Sequence, residues 1–304
     1  MKQLNITWDG IADSTGYLFS FAKALSCAVK SSPYRDKAED IVTTSGFAFR
    51  MWVAADLCPS STSIWGFDGQ KPWTESGGLA CAYVGRYWGE EHVEEERRLE
   101  AIGIIKRSID DGIPAVSWDI GVPEWGLVIG YDDEAQTLAT LSAGGATGTM
   151  RYEELGKNEI PILSVLTILG QTEKPQASIL ADTLAMAANH LRGGEWCDNA
   201  KGLEAYPALY RHFEADDPAL ALSWNMEYLL GTYAALKPYA WKYFAKNNLG
   251  ELAQLYQTVA DCWQRAFEAK TTKDMNDAAI RADVAALLRT AEDCEKRAVG
   301  LMAP

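Results

Sequence analysis

Three stretches of the chain gather side chains that can do chemistry, each of a different kind. Residues 118–133, WDIGVPEWGLVIGYDD, hold Asp119 and Glu124 beside Trp118 and Trp125 around a Pro-containing bend. Two carboxyls in one bend can do acid and base work if neighbouring rings desolvate one, because burial favours the neutral acid. Residues 13–15, Asp-Ser-Thr, open an apolar run. A helix start there favours an anion or an activated nucleophile, with Ser14 and Thr15 as the available hydroxyls. The same short oxygen-bearing side chains also suit a plain helix cap. Residues 44–52, TSGFAFRMW, set Arg50 among aromatics after a Gly-containing turn. Arg50 fits a buried ion pair, or a clamp that grips a carboxylate by two parallel hydrogen bonds.

Eleven tryptophans, seven of them before residue 130, add a second signal. Trp is large and amphipathic, so such density lines a concave pocket or fills a core and a dimer contact. A cleft walled by Trp52, Trp118 and Trp125, with Tyr131 beside it, would hold Arg50, Asp119 and Glu124. That cleft suits a small amine, an amino acid or a short peptide: Arg50 takes the carboxylate and the acidic pair takes the ammonium. A homodimer stays open as the other use of the aromatic excess.

The elements that must position these groups change character near Lys174-Pro175. Before it, β-branched runs at Pro114–Ile120, Trp125–Tyr131, Thr137–Ser142 and Ile162–Leu169 read as strands punctuated by Gly, Pro and Asp. Their short connections imply antiparallel neighbours, since a parallel crossover needs a dozen residues or more. An apolar helix is expected over Thr15–Lys30, capped by Asp13 or Ser14, and a second over Val93–Asp111 with a Glu94–Arg98 pair on its solvated face. Beyond the linker GQTEKPQ, helices are expected over Ala177–Arg192, Leu203–Glu214, Pro218–Asn247, Leu249–Ala269 and Asp274–Val299, with Pro238 kinking or splitting the third. The expectation is an α+β domain, residues 1–173, and a helical bundle, residues 174–304.

Composition narrows the partners. With 48% hydrophobic and 23% charged residues the chain is globular, and 28 basic against 42 acidic residues leave a net charge of −14. Of that charge, −10 lies before Pro175 and −4 after it. An acidic surface repels phosphate backbones and anionic headgroups, so neither nucleic acid nor a membrane is an expected partner. No apolar run approaches the ~20 residues that span a bilayer, and MKQLNITWDG has no secretory core, so a cytoplasmic protein is expected. Cys27, Cys58, Cys81, Cys197, Cys262 and Cys294 show no C-x-x-C pair or zinc spacing and read as buried free thiols. No metal and no cofactor is expected.

TSGFAFRMW followed by Cys58-Pro59, DGIPAVSWDIGVPEWGLVIGYDDE and RYEEL together resemble the family of the butirosin biosynthesis H protein's N-terminal domain. The resemblance covers about Trp8 to Leu169. It implies a papain-like fold, similar to the C39-type bacteriocin-processing peptidases, and a cysteine at the start of the central helix that carries an acyl group as a thioester. Acyl transfer to an amine, or amide-bond chemistry, is the implied activity. In such a site the helix start stabilises the thiolate, an imidazole at a facing strand takes its proton, and a polar residue on the next strand orients the imidazole.

This chain departs at each position. Asp13, Ser14 and Thr15 stand at the expected helix start, and Cys27 lies three turns further on, toward the core. Glu124, six residues before Gly130, stands where the imidazole is implied, and the orienting position falls near Ser142. His92, His190 and His212 lie in no expected strand, so a Cys–His enzyme is not the expectation. Three readings follow. One is an amide- or ester-processing enzyme or acyltransferase without the cysteine, using Glu124, Asp119, Ser14 and Thr15. The second is a relative that binds its ligand without catalysis, and the third a self-associating or partner-binding protein built on the helical half.

Overall fold

Residues 1–302, which the computed structural model describes, fold as two compact units that interleave along the chain. The first takes Met1–Ile11, Ser20–Ser45 and Phe67–Ile179; the second takes Ala12–Phe19, Gly46–Gly66 and the chain from Leu180. The division expected at 173/174 therefore falls close to the last exchange and misses the earlier ones. The composition shifts from strand to helix only once, so segments 12–19 and 46–66 carry no mark of their allegiance.

The chain starts with β1 (Lys2–Gln3), α1 (Ser20–Lys30) and α2 (Asp40–Thr44), then gives β2 (Trp52–Val53) to the second unit. The first unit resumes with α3 (Gln70–Ser76), β3 (Leu79–Arg86) and α4 (Glu94–Asp110). It continues with β4 (Ala115–Ser117), β5 (Gly126–Asp132), β6 (Thr137–Leu141), β7 (Thr147–Arg151) and β8 (Leu163–Gln171). These strands make an antiparallel sheet in the order β3-β8-β4-β5-β6-β7, with β1 paired to β5. Mixed helix and antiparallel strand was expected, and so were β4, β5, β6 and β8. Three strands of the sheet were not, the two-residue β1 among them. β3, LACAYVGR, dilutes its apolar alternation with Ala and Gly, and β7, TGTMR, is an edge strand exposed at four of its five residues. β4 is also shorter than its apolar run, because Asp119 turns to φ +61°.

α4 lays Ile102, Ile105 and Ile109 into a core with Val84, Val128, Leu138 and Val165 from the strands. Its outer face carries the expected Arg98–Glu94 pair at 3.3 Å, and Lys157 joins the same carboxylate at 2.7 Å. α1 packs on β4 and β5, and Phe21, Ala22, Ala24, Leu25, Ala28 and Val29 are fully buried. A helix apolar on several sides belongs inside a unit, and this one does.

In the second unit, α5 (Gln176–Leu191) is followed by β9 (Ala200–Lys201), which pairs antiparallel with β2. The helices α6 (Ala205–Glu214), α7 (Ala219–Leu222), α8 (Trp224–Lys246), α9 (Gly250–Thr272) and α10 (Ala278–Met302) complete it. α8 packs on α9, α9 on α10 and α10 on α6. Pro238 does not split the third expected helix, which runs on through it. The break comes at Ser223, whose extended backbone ends α7 and whose Oγ accepts the Met226 N–H at 3.2 Å to cap α8. Ser223→Ala is expected to cost about 1 kcal/mol, read as a shift in the urea midpoint at constant slope. All six cysteines are free, and among the described residues no helix is long and apolar enough to cross a membrane.

Candidate functional site

α1 begins at Ser20, five residues after the expected Thr15. Gly16, at φ +81°, cannot sit in a right-handed helix, and the Asp13 carboxylate collects the N–H groups of Gly16 at 2.9 Å and Leu18 at 3.1 Å. Residues 13–19 are thus a tied loop, and the hydroxyl at the helix start is Ser20. Its Oγ donates to Glu124 Oε2 and accepts the Trp125 N–H at 3.2 Å. The carboxylate singled out in the sequence is therefore engaged, by a serine that was not singled out.

The bend that carries Glu124 is closed on itself: the Ile120 N–H donates to Glu124 O at 3.2 Å, and Asp119 precedes it in left-handed backbone. A Cβ on Gly121 would lie 3.4 Å from Ser142 Cβ, so this bend meets the end of β6. Lys23, three residues after Ser20 and on the same face of α1, reaches the same place. Its Nζ donates to Ala143 O at 3.3 Å and sits 5.3 Å from the centre of the Trp8 ring, whose Nε1 donates to Ser142 O at 2.9 Å. A helix start, a strand start and the end of the next strand converge, with a hydroxyl, a carboxylate and an ammonium among them. The Ser-x-x-Lys spacing across one helical turn was the signal that could have found Ser20 and Lys23.

The other expected site residues are placed otherwise. Ser14 Oγ donates to Gln264 Oε1 at 3.3 Å and Thr15 Oγ1 to Gly231 O at 2.9 Å, so both hydroxyls are taken within the second unit. Trp118 and Trp125 do not wall a hollow. Trp125 packs on Phe21 at 4.9 Å, on Phe67 at 4.8 Å and on Trp118 at 5.1 Å between ring centres, and is fully buried. Rings of this size gain more by filling space than by lining it. Tyr131 lies about 17 Å along β5 from Gly126 at ~3.4 Å a residue, and its hydroxyl donates to Asp110 at 2.9 Å.

Arg50 and Trp52 belong to the second unit, where Arg50 is no ligand clamp. Its guanidinium is buried and forks onto Glu195, Nε to Oε2 at 2.8 Å and Nη2 to Oε1 at 2.7 Å. His190 lies 2.9 Å from the same carboxylate through Nδ1 and accepts the Met51 N–H at Nε2, also at 2.9 Å. That pattern fixes a neutral ring with its proton on Nδ1. Burial would raise the Glu195 carboxyl, but Arg50 and then His190 outweigh it and hold it below the carboxylate range. Trp52 stacks on Trp65 at 6.1 Å, and the Tyr233 hydroxyl bridges its backbone N–H and C=O.

Asp119 is the one expected acid whose environment remains unusual. Burial, then the neighbouring Glu159, pushes its carboxyl up from the ordinary range. Among the described residues no group of three or more His, Cys, Asp or Glu side chains is arranged to hold a metal ion. Cys27 is not a reactive thiol, since burial pushes it up to about 11. Neither a family model nor a curated protein matches this chain.

Proposed function

We propose that the first unit is a papain-like, C39-like domain in which Ser20 and Glu124 take the places of the thiol and imidazole, acting in acyl transfer or hydrolysis at an amide or ester. The hydrogen bond between Ser20 Oγ and the Glu124 carboxylate at the start of α1 carries this reading. The convergence of Lys23 and the Ser142–Ala143 turn on the same spot supports it, because the end of β6 is where the resemblance implies a third polar group. In this reading Ser20 Oγ adds to the substrate carbonyl and its proton passes to Glu124. The oxyanion that forms is stabilised by amides of the first turn of α1. Collapse expels the amine or alcohol, which takes the proton back from Glu124. The acyl-serine is then cleared by water or an acceptor amine through the same steps reversed. The setting is a cytoplasmic one.

A second reading is ligand binding without turnover, favoured by the Ser20 hydroxyl being held by the Trp125 N–H as well as by Glu124. A fluorophosphonate probe separates the two. Labelling of the folded protein is expected at Ser20 by peptide mass, to vanish in Ser20→Ala and to slow at least a hundredfold in Glu124→Gln. Label on another residue, or an unchanged rate in Glu124→Gln, overturns the catalytic reading.

A further inference from the structure

Trp224 opens α8 with its side chain 57% exposed, and Leu222, at the end of α7, is 39% exposed. Single apolar side chains at a surface are ordinary, but contiguous ones mark a contact. Trp224 is the first of four rings that touch in series. Its centre lies 5.4 Å from that of Tyr228, one helical turn along α8. Tyr228 lies 5.9 Å from Tyr17, and Tyr17 lies 5.8 Å from Phe267 of α9. Tyr17, Tyr228 and Phe267 are half-buried. The patch is fixed from beneath. Thr15 Oγ1 donates to Gly231 O at 2.9 Å, and a Cβ on Gly231 would come within 2.6 Å of the Tyr17 ring, so the loop lies directly on α8. A surface held this way loses little freedom when it is covered.

The charges in the patch point to what covers it. The Tyr17 hydroxyl donates to Glu227 Oε1 at 2.8 Å and Lys270 Nζ to Leu222 O at 3.1 Å, so one carboxylate and one ammonium stand among the rings. Among the described residues neither makes an ion pair. Burial pushes the Lys270 ammonium below its ordinary range while Glu227 pulls it back, so this amine gains from a further carboxylate. A basic partner would oppose Lys270, and an acidic one would oppose Glu227. A surface that carries both signs is matched by the same surface turned about a two-fold axis, where each contact is made twice. We propose that this patch is the interface of a homodimer, with Trp224 at its centre and Glu227 of each copy facing Lys270 of the other. The distribution of charge agrees. Of the net −14, −10 lies before Pro175, so the part of the chain that supplies Trp224, Tyr228 and Phe267 is where two copies repel least.

Light scattering on the whole chain as it leaves a size-exclusion column tests this. The parent is expected to approach twice the 33.4 kDa of one chain as its concentration rises to ~100 μM. Trp224→Asp is expected to weaken the dimer at least tenfold, because a Trp of this kind anchors such contacts. Asp is well tolerated in the first turn of a helix, so α8 stays formed. Glu227→Lys and Lys270→Glu each set like charges face to face, and each is expected to be monomeric alone. Mixed in equal amounts they are expected to restore the dimer, since every facing pair is then opposite in sign again. Urea midpoints close to the parent's show that each variant is folded. A parent that stays monomeric, a dimer that Trp224→Asp leaves unchanged, or charge variants that dimerise alone or stay apart when mixed overturn the proposal.

Discussion

Glu295→Gln is expected to destabilise the second unit by about 3–5 kcal/mol, the usual cost of removing one partner from a buried ion pair. Lys237 Nζ lies 2.8 Å from Glu295 Oε1, and neither side chain is more than 1% exposed. The second carboxylate oxygen accepts the Tyr206 hydroxyl at 2.9 Å, which in turn accepts Trp263 Nε1 at 3.1 Å. Four helices, α6, α8, α9 and α10, thus meet on one chain of polar contacts inside an aromatic core. Removing the carboxylate charge leaves an ammonium in that core without its counter-ion. Lys237→Met combined with Glu295→Leu, which removes both charges, is expected to recover most of the loss. Tyr206→Phe is compared as a third change: it removes the hydroxyl that has lost its acceptor but leaves Trp263 Nε1 without one, so it adds no recovery. Urea midpoints for the single, double and triple variants, at constant slope, check the order. A single variant as stable as the parent would show that the pair contributes nothing net.

Arg50→Met is expected to cost a comparable ~3–5 kcal/mol, since it strips the fork from Glu195 and leaves that carboxylate beside a neutral imidazole. The same cluster sets a pH dependence. Burial lowers the His190 pKa below its ordinary 6.5, outweighing the pull of Glu195 upward. The unfolded chain therefore binds a proton at His190 before the folded one does, and stability falls as pH drops below about 6.5. Glu195 acts in the same direction at lower pH. Its folded carboxyl is held down by Arg50 against burial, so its contribution is present above the ordinary 4.5 and is lost as pH falls further. Urea midpoints between pH 8 and pH 5 are expected to decline in the parent and to decline less in His190→Gln, which cannot take up the proton. A flat profile in the parent would show that His190 titrates alike in both states.

How far the sequence could be read depended on how local the physics was. α4 was legible because its apolar spacing and its Glu94–Arg98 pair lie within a few turns of each other. The strand after Glu124 was legible too, from the apolar run that became β5. The partner of Glu124 was not, because a single glycine, Gly16, moved the helix start from Thr15 to Ser20. Arg50 read equally well as clamp and as ion pair, and the deciding carboxylate lies 145 residues away. Trp118 and Trp125 were recognised as neighbours of the site, yet whether large rings line a space or fill it depends on Phe21 and Phe67, brought in by other segments.

Because Ala12–Phe19 and Gly46–Gly66 belong with the C-terminal helices, the two halves of this polypeptide are not interchangeable cassettes. Recombination at the linker that composition suggests would strand Arg50 without Glu195 and β2 without β9 in either fragment. The ribosome, too, releases Thr15 and Trp52 long before Gly231 and Tyr233 exist to receive them, so the early segments must wait for more than a hundred residues of synthesis before their unit can close.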